Sequence, residues 1–402
     1  MISVEESLSR ILAGVGGPIA AEEVALTDGL GRILADDVVA ALTQPPVAVS
    51  AMDGYAVRAA DVARVPARLT VIGSAPAGSP FAGKVGPGQA VRIFTGGAVP
   101  EGADAIVIQE DAEASGDAVT LKEAASPGRF IRPAGLDFQA GSVGLAAGRR
   151  LTARDIGLAA AMNRPWLRVR RRPRVAILST GDELVNPGET PGPGQIVSSN
   201  AFALAAFVAA EGGEPLMLGI ARDDPAALAR NIEAAQGADL LVTSGGASVG
   251  DHDMIAGALE AAGMTLDFWK IAMRPGKPLL FGKLGRMAVL GLPGNPVSSL
   301  VCALVFLRPA LAALLGRSDR GAGAQSARLG RDLPENDRRQ DYLRSELSTD
   351  GEGRLTATPF ARQDSAMLSL LARAGCLVIR PPHAPAARAG EAVPVLRLDG
   401  LA

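Results

Sequence analysis

Two cysteines and two histidines in 402 residues exclude whole classes of site. No Cys/His spacing of a zinc site is present, so any metal must be held by oxygen, which points to magnesium. Cys302 lies in an apolar helical run and Cys376 in an apolar strand-like run. Both are expected in the core of a protein from a reducing compartment. Aromatics are scarce: two Trp, two Tyr and ten Phe. An excess of positive charge is missing too, since the formal charge is −2, and a nucleic-acid binder needs a basic balance or a long basic stripe. The dense cluster Arg168, Arg170, Arg171, Arg172 and Arg174 reads as a solvated linker before a strand. The start MISVEESLSRILAG lacks the basic and apolar regions of a signal peptide. The apolar stretches Ala201–Ala210 and Val297–Leu307 are too short to span a bilayer. A soluble, cytoplasmic protein with no nucleic-acid or membrane partner is expected.

What is present is apolar residues (48%) and many turn formers, 48 Gly and 28 Pro. This length suits two to four domains. Residues 3–14 have helical spacing at Val4, Leu8, Ile11 and Leu12. Between about 45 and 145, short β-prone runs such as Leu69–Ile72, Ala90–Phe94, Ala105–Gln109 and Ala118–Leu121 alternate with Gly/Pro turns. Helical texture returns at 151–163, with Thr152 available as cap. A β insertion between two helical pieces predicts a discontinuous first domain. From Arg174, strands (Arg174–Ser179, Leu216–Ile220, Asp239–Ser244, Met264–Ile271, Met287–Leu292) alternate with helices (Asn200–Glu211, Pro225–Gln236, Ile255–Ala262, Pro296–Leu315). That alternation predicts a parallel sheet covered on both faces. Arg317–Ala327 reads as a linker, and the runs Tyr342–Leu347, Leu355–Pro359, Cys376–Ile379 and Val393–Leu398 predict a small C-terminal β-barrel. The expected fold is multidomain α/β plus β. Its pieces are a discontinuous elongated domain (1–45 and 146–172), an inserted β domain (46–145), a central α/β domain (173–318) and the barrel (327–402).

Ligands of open α/β sheets bind beyond the carboxyl ends of the strands. Three Gly-rich loops follow such strands: Ser179-Thr-Gly-Asp-Glu183, Ser244-Gly-Gly-Ala-Ser-Val-Gly-Asp-His-Asp253, and Leu292-Pro-Gly-Asn-Pro296 at a helix start. Such loops offer backbone N–H groups and a positive helix end to an anion. Lys270, Arg274 and Lys277 add cations, and Asp223, Asp224, Asp251 and Asp253 add carboxylates suited to magnesium. A magnesium-dependent site for a phosphorylated or otherwise polyanionic substrate follows. Gly276-Lys277 is no P-loop, because Pro278 stands where Ser/Thr belongs. Gly246-Ala-Ser248-Val-Gly250 matches a nucleophile elbow. His252 is too close to be its late triad partner, and His383 lies in a Pro-rich turn, so a serine hydrolase is a weak alternative.

The motifs Ala51-Met-Asp-Gly-Tyr-Ala56, Arg92-Ile-Phe-Thr-Gly96, Ser179-Thr-Gly-Asp-Glu-Leu184, Ser244-Gly-Gly-Ala-Ser-Val-Gly250, Arg274-Pro-Gly-Lys-Pro278 and Gly291-Leu-Pro-Gly-Asn-Pro296 occur together and in order. In them the chain resembles the molybdopterin molybdenumtransferases, the molybdenum-insertion enzymes related to the C-terminal domain of gephyrin. The resemblance implies that adenylylated molybdopterin and molybdate give molybdenum-molybdopterin and AMP, with magnesium. It implies a homodimer whose cleft joins the central domain of one subunit to the β domain of the other, and transient contact with other enzymes of molybdenum cofactor synthesis. Carried over, Asp53 and Thr95 reach across from the partner, while Glu183 and Asp223 line the central cleft with Asp251 and Asp253, the leading magnesium ligands. Ser244, Gly245, Gly246, Ser248, Pro293, Asn295 and Ser298 hold nucleotide or pterin phosphates. Arg274 and Lys277 face molybdate or the pyrophosphate, with Lys270 nearby, and Arg344 and Ser365 match oxyanion-binding positions. Arg274 stands where the family commonly has Lys, which exchanges a point charge for a fork. A molybdopterin adenylyltransferase and a non-catalytic scaffold are the remaining alternatives.

Overall fold

The computed structural model describes residues 1–245, 254–318 and 323–398. Its fold is multidomain α/β plus β. The discontinuous unit is held by two antiparallel pairings between distant segments, Ala21–Ala25 with Trp166–Arg170 and Val38–Val39 with Val143–Leu145. Leu34, Val38, Leu145, Leu151, Met162 and Val169 close its core. The capping signal at Thr152 is realised through Asp155, whose carboxylate accepts both the backbone N–H (2.8 Å) and the hydroxyl (2.7 Å) of Thr152. Helix Val4–Val15 starts at Ser3, whose hydroxyl accepts the Glu6 N–H at 3.0 Å. Its Val4 and Ile11 enter the core of the central sheet, not that of 146–172.

The inserted unit is a six-stranded sheet ordered Ala105–Ile108, Gly54–Val57, Gln89–Ile93, Ala67–Ala75, Ala118–Leu121, Ala112–Ser115. Tyr55 and Val57 face one core and Ala56 the other, the two-residue alternation of a strand buried on both sides. An added Cβ at Gly54 would run into the Val107 carbonyl of the neighbouring strand, so glycine is required there.

The central sheet runs Glu214–Ala221, Arg174–Thr180, Leu240–Ser244, Met287–Leu292, Leu280–Leu284, Thr265–Trp269. Its first four strands are parallel. The last two are joined by antiparallel pairing, so the expected parallel sheet carries two antiparallel pairings at one side. The cause is Leu280–Leu284, absent from the sequence reading. It returns to Met287–Leu292 through the two-residue loop Gly285-Arg286, with Gly285 at φ 61°. Val175 and Ile177 face one core and Ala176 and Leu178 the other, so helices cover both sides.

Pro296–Leu315 is one 20-residue helical run, long and apolar enough to cross a membrane, which corrects the expectation of a stretch too short to do so. It is 78% buried in the protein, where it serves as a core helix. Its middle, Ala303–Leu307, is π-helical. Pro309 has no N–H for the Val305 carbonyl and crowds it, and a widened turn relieves both. Cys302 and Cys376 are buried, as expected.

The C-terminal segment closes a ring of five strands: Gln340–Thr349, Leu355–Pro359, Gln325–Leu329, Ala392–Arg397 and Cys376–Arg380, which pairs back to the first. Gln325–Leu329, whose first three residues fall in the expected linker, completes the barrel. The Arg168–Arg174 cluster is engaged structurally: Arg168 pairs with Asp36, Arg170 donates to the Ile19 carbonyl, and Arg171 grips Asp239 with both terminal nitrogens.

Glu211 is buried between Arg308 (2.7 Å) and Arg317 (2.8 Å). Glu211→Ala removes the carboxylate these buried guanidinium groups share, and should cost about 3–5 kcal/mol. A large drop in melting temperature checks this.

Candidate active site

A cleft of about 610 Å³ opens at the carboxyl ends of the parallel strands. Its floor is Ser179, Thr180, Ser244 and Gly245, and its walls include Glu183, Asn200 and Pro293–Pro296. Backbone crowding shapes the floor. Gly245 takes φ 99°, and a Cβ there would meet the Thr180 carbonyl. Gly181 takes φ 140°, and a side chain there would collide with the Glu183 carboxylate. The hydroxyls of Ser179 and Thr180 are buried and have no hydrogen-bond partner among the described residues. Buried hydroxyls are normally paired, so a ligand that accepts from them has a ready place.

The sequence reading missed Asn200. Its Nδ2 donates to Ser244 Oγ at 2.8 Å and to the Gly294 carbonyl at 2.7 Å, tying two strand-end loops to the helix Asn200–Ala210. Ser198, Ser199 and Asn200 are residue types that cap helices, yet no side-chain cap bond forms at Ser199. Capping and loop bridging call for the same residue types. Asn295 precedes helix Pro296–Cys302 but makes no side-chain cap bond; it donates Nδ2 to Ser365 Oγ at 2.9 Å, while Val297 N–H donates to the Ser365 carbonyl at 3.1 Å. Ser365 therefore closes over the start of helix Pro296–Cys302, and its neighbours Ala366 and Leu368 complete the cleft wall. Ser298 is buried in the first turn of that helix. Arg344, among the largest fully buried side chains, braces this lid. Its guanidinium donates to Gln363 Oε1 and the Met367 carbonyl, both at 3.3 Å. Burial pulls its pKa down, with Asp364 opposing.

The remaining candidates are distributed around the cleft. Asp223 lies on the neighbouring loop, where its N–H donates to Asp182 Oδ1 at 3.3 Å. Asp224 is a helix cap, accepting the Ala227 N–H at 2.7 Å. The three cations diverge: Lys270 stacks its ammonium over Trp269 at 4.8 Å, Arg274 is ion-paired to Asp341 and Asp337, and Lys277 lines a separate cleft with Arg338 and His383. Gly246, Ser248, Asp251 and Asp253 lie outside the described residues, among which no cluster of three potential metal-ligating acids, His or Cys occurs. The described cleft offers oxygen donors, the Glu183 carboxylate and the Ser179, Thr180 and Ser244 hydroxyls, which suits a hard cation.

Asp53 and Thr95 do come together, on the inserted sheet. Asp53 Oδ1 accepts from the Thr95 N–H at 2.7 Å and the Thr95 hydroxyl at 2.8 Å. These bonds, with Arg92 nearby, hold the carboxyl below the usual aspartate range. Arg92 lies between the rings of Tyr55 (5.1 Å) and Phe94 (4.9 Å) and donates to the Gly54 carbonyl at 3.0 Å. The central cleft lining of one chain contains no described residue of the inserted sheet.

Three family models match in tandem: the MoeA N-terminal region (domains I and II) over 2–163, a probable molybdopterin binding domain over 176–313, and the MoeA C-terminal region (domain IV) over 326–398. A molybdopterin molybdenumtransferase of Haemophilus influenzae is 34% identical over 98% of both chains. The chain belongs to the molybdopterin molybdenumtransferases. Another member, from Bacillus subtilis, is 36% identical over 93% of this chain and 89% of its own. The crystal structure of a molybdopterin biosynthesis MoeA protein of Pyrococcus horikoshii superposes with a TM-score of 0.86, at 33% identity and 99% coverage of each chain. Membership makes the protein a transferase that acts on a molybdopterin, at the molybdenum-insertion stage of molybdenum cofactor biosynthesis.

Thr95→Val removes the hydroxyl donor to Asp53. The Asp53 carboxyl should then titrate at higher pH, toward the ordinary aspartate value, in a ¹³C NMR titration of wild type against variant.

Proposed function

We propose that the protein inserts molybdenum from molybdate into adenylylated molybdopterin, releasing AMP, with magnesium as cofactor and as a cytoplasmic homodimer. The observation that carries this reading is the cleft floor. Two unpartnered buried hydroxyls, the Ser244 loop and a helix start converge where a phosphate chain can lie. Among the described residues that line this cleft there is no cysteine or histidine to serve as nucleophile or base. Cleavage of a phosphoanhydride suits such a site, since it needs charge neutralisation and in-line positioning rather than a covalent nucleophile.

In this reading Ser244, Gly245, Gly246, Ser248, Pro293, Asn295 and Ser298 hold the nucleotide or pterin phosphates, and Lys277, which lines a separate cleft, faces molybdate or the pyrophosphate with Lys270 nearby. Arg344 and Ser365 serve the oxyanion, Arg344 by bracing the segment that carries Ser365. Asp251 and Asp253 would hold magnesium, which when bound supplies positive charge to the phosphoryl oxygens. Glu183 and Asp223 complete the acidic side. Asp53, fixed by Thr95, reaches the cleft of the partner subunit; in support, no described residue of the inserted sheet lines the cleft of its own chain.

Two tests follow. The wild-type protein with adenylylated molybdopterin, molybdate and magnesium should release AMP, and the Asp251→Asn/Asp253→Asn double variant should not while remaining dimeric. Asp53→Ala and Asp251→Asn homodimers should each be inactive. After subunit exchange, the mixed half of the dimers carries one sound cleft each, so activity should recover to roughly a quarter of wild type. Confirmed mixed dimers without recovery would place Asp53 in its own chain's cleft or in none.

A further inference from the structure

The segment between strands Thr265–Trp269 and Leu280–Leu284 carries Lys270, Arg274 and Lys277 and is pinned at several points. Its base is closed by Ile271 N–H to the Lys277 carbonyl (3.0 Å) and Lys270 N–H to the Leu279 carbonyl (3.1 Å). Its tip, Met273–Arg274, joins the C-terminal barrel as an extra strand parallel to Gln340–Asp341, and Gln340 N–H donates to the Ala272 carbonyl at 2.9 Å. Gly276, at φ 114°, is packed against Cys302 Sγ and Met273 Sδ with no room for a side chain.

The Arg274 guanidinium sits in this junction. One terminal nitrogen donates to Asp337 Oδ2 at 3.3 Å, and the other to Asn336 Oδ1 at 3.3 Å and to Asp341 Oδ2. The Asp341 side chain is only 4% exposed, and its Oδ1 has no hydrogen-bond partner among the described residues. A buried carboxylate in that state depends on its cation. Asp337 also takes Arg339 at 2.8 Å, so two arginines face two aspartates and the charges of these four groups cancel. A lysine in place of Arg274 would bring one nitrogen to three acceptors on three residues, where the planar fork brings two.

We infer that Arg274 is a positioning residue rather than an anion ligand: a strut that fixes the Pro278 edge of the cleft to the C-terminal barrel. Pro278 lines the cleft itself, so this side chain and the short strand that carries it join that edge to the barrel, separately from the Ser365 contact. The inference rests on reading the cleft as an oxyanion site, and it reverses the sign of one variant. If Arg274 were a ligand, Asp341→Asn would free its charge and leave anion binding unchanged or stronger. As a strut, it loses its anchor and binding weakens.

The test uses the full-length protein and molybdate alone, with binding read by equilibrium dialysis and loop order by hydrogen exchange of peptides covering 270–279 and 340–344. Asp341→Asn and Arg274→Lys should each weaken molybdate binding by roughly tenfold and speed exchange in both peptides, with the double variant no worse than either single one. Asp337→Asn, at an exposed carboxylate, should do the same to a smaller degree and keeps the test available if Asp341→Asn does not fold. Unchanged or tighter binding by Asp341→Asn, or unchanged exchange in the 270–279 peptide, overturns the strut. Failure of the wild type to bind molybdate counts against the functional reading, while the exchange measurement still decides the strut.

Discussion

The side-chain amide of Asn200 holds together what three separate stretches of chain bring to one place. It donates to the Ser244 hydroxyl at the end of one strand and to the Gly294 carbonyl beyond another, and it begins the helix that follows a third. Loops at strand ends are ordinarily the most mobile part of an α/β layer. Cross-linking two of them by one short amide fixes the floor before a ligand arrives, and a preorganised floor is the form of electrostatic stabilisation that needs no rearrangement during reaction. The close passage of Gly245 past the Thr180 carbonyl depends on the same alignment.

A second set of ties brings the C-terminal barrel into the cleft. Buried Arg344 grips Gln363 and Met367, the segment between them carries Ser365, and Ser365 meets Asn295 and Val297 at the helix start. Arg274 makes the other connection. The barrel has no free edge within its own five-strand ring, so its contribution comes through an added strand and a loop. A closed barrel is a rigid body, and two attachments to a rigid body fix the cleft wall better than one.

Much of this was legible in the sequence, where local signals and tertiary outcome agree. Alternating strands and helices after Arg174 gave the central layer, and the Gly-rich strand-end loops marked the cleft. Failures have physical causes. Strand Gly54–Val57 is not among the β-prone runs, yet it is buried on both faces, with glycine required where it passes the Val107 carbonyl. Leu280–Leu284 was hidden behind the cationic loop, although Gly285-Arg286 is a two-residue hairpin signal. Gln325–Leu329 was masked by the small residues before it. Within the site, residue type was readable but partners were not. Nothing in the local pattern says that Asn200 bridges loops instead of capping its helix, or that Arg274 meets carboxylates 63 and 67 residues further on.

The path of the chain also dictates an order of assembly during synthesis. Strand Ala21–Ala25 has no partner until Trp166–Arg170 has emerged, whereas the sheet between them pairs largely with itself and can condense first. The wait is longer still for helix Val4–Val15. Ile11 belongs to a core completed by Phe281 and Leu311, and Gly14 packs so tightly on the Phe281 ring that a side chain there would strike it. This helix precedes most of its core in the chain and so is among the last elements to dock, its amphipathic face uncovered while some three hundred residues are made. The helix is short, and its first turn carries two acidic residues, Glu5 and Glu6.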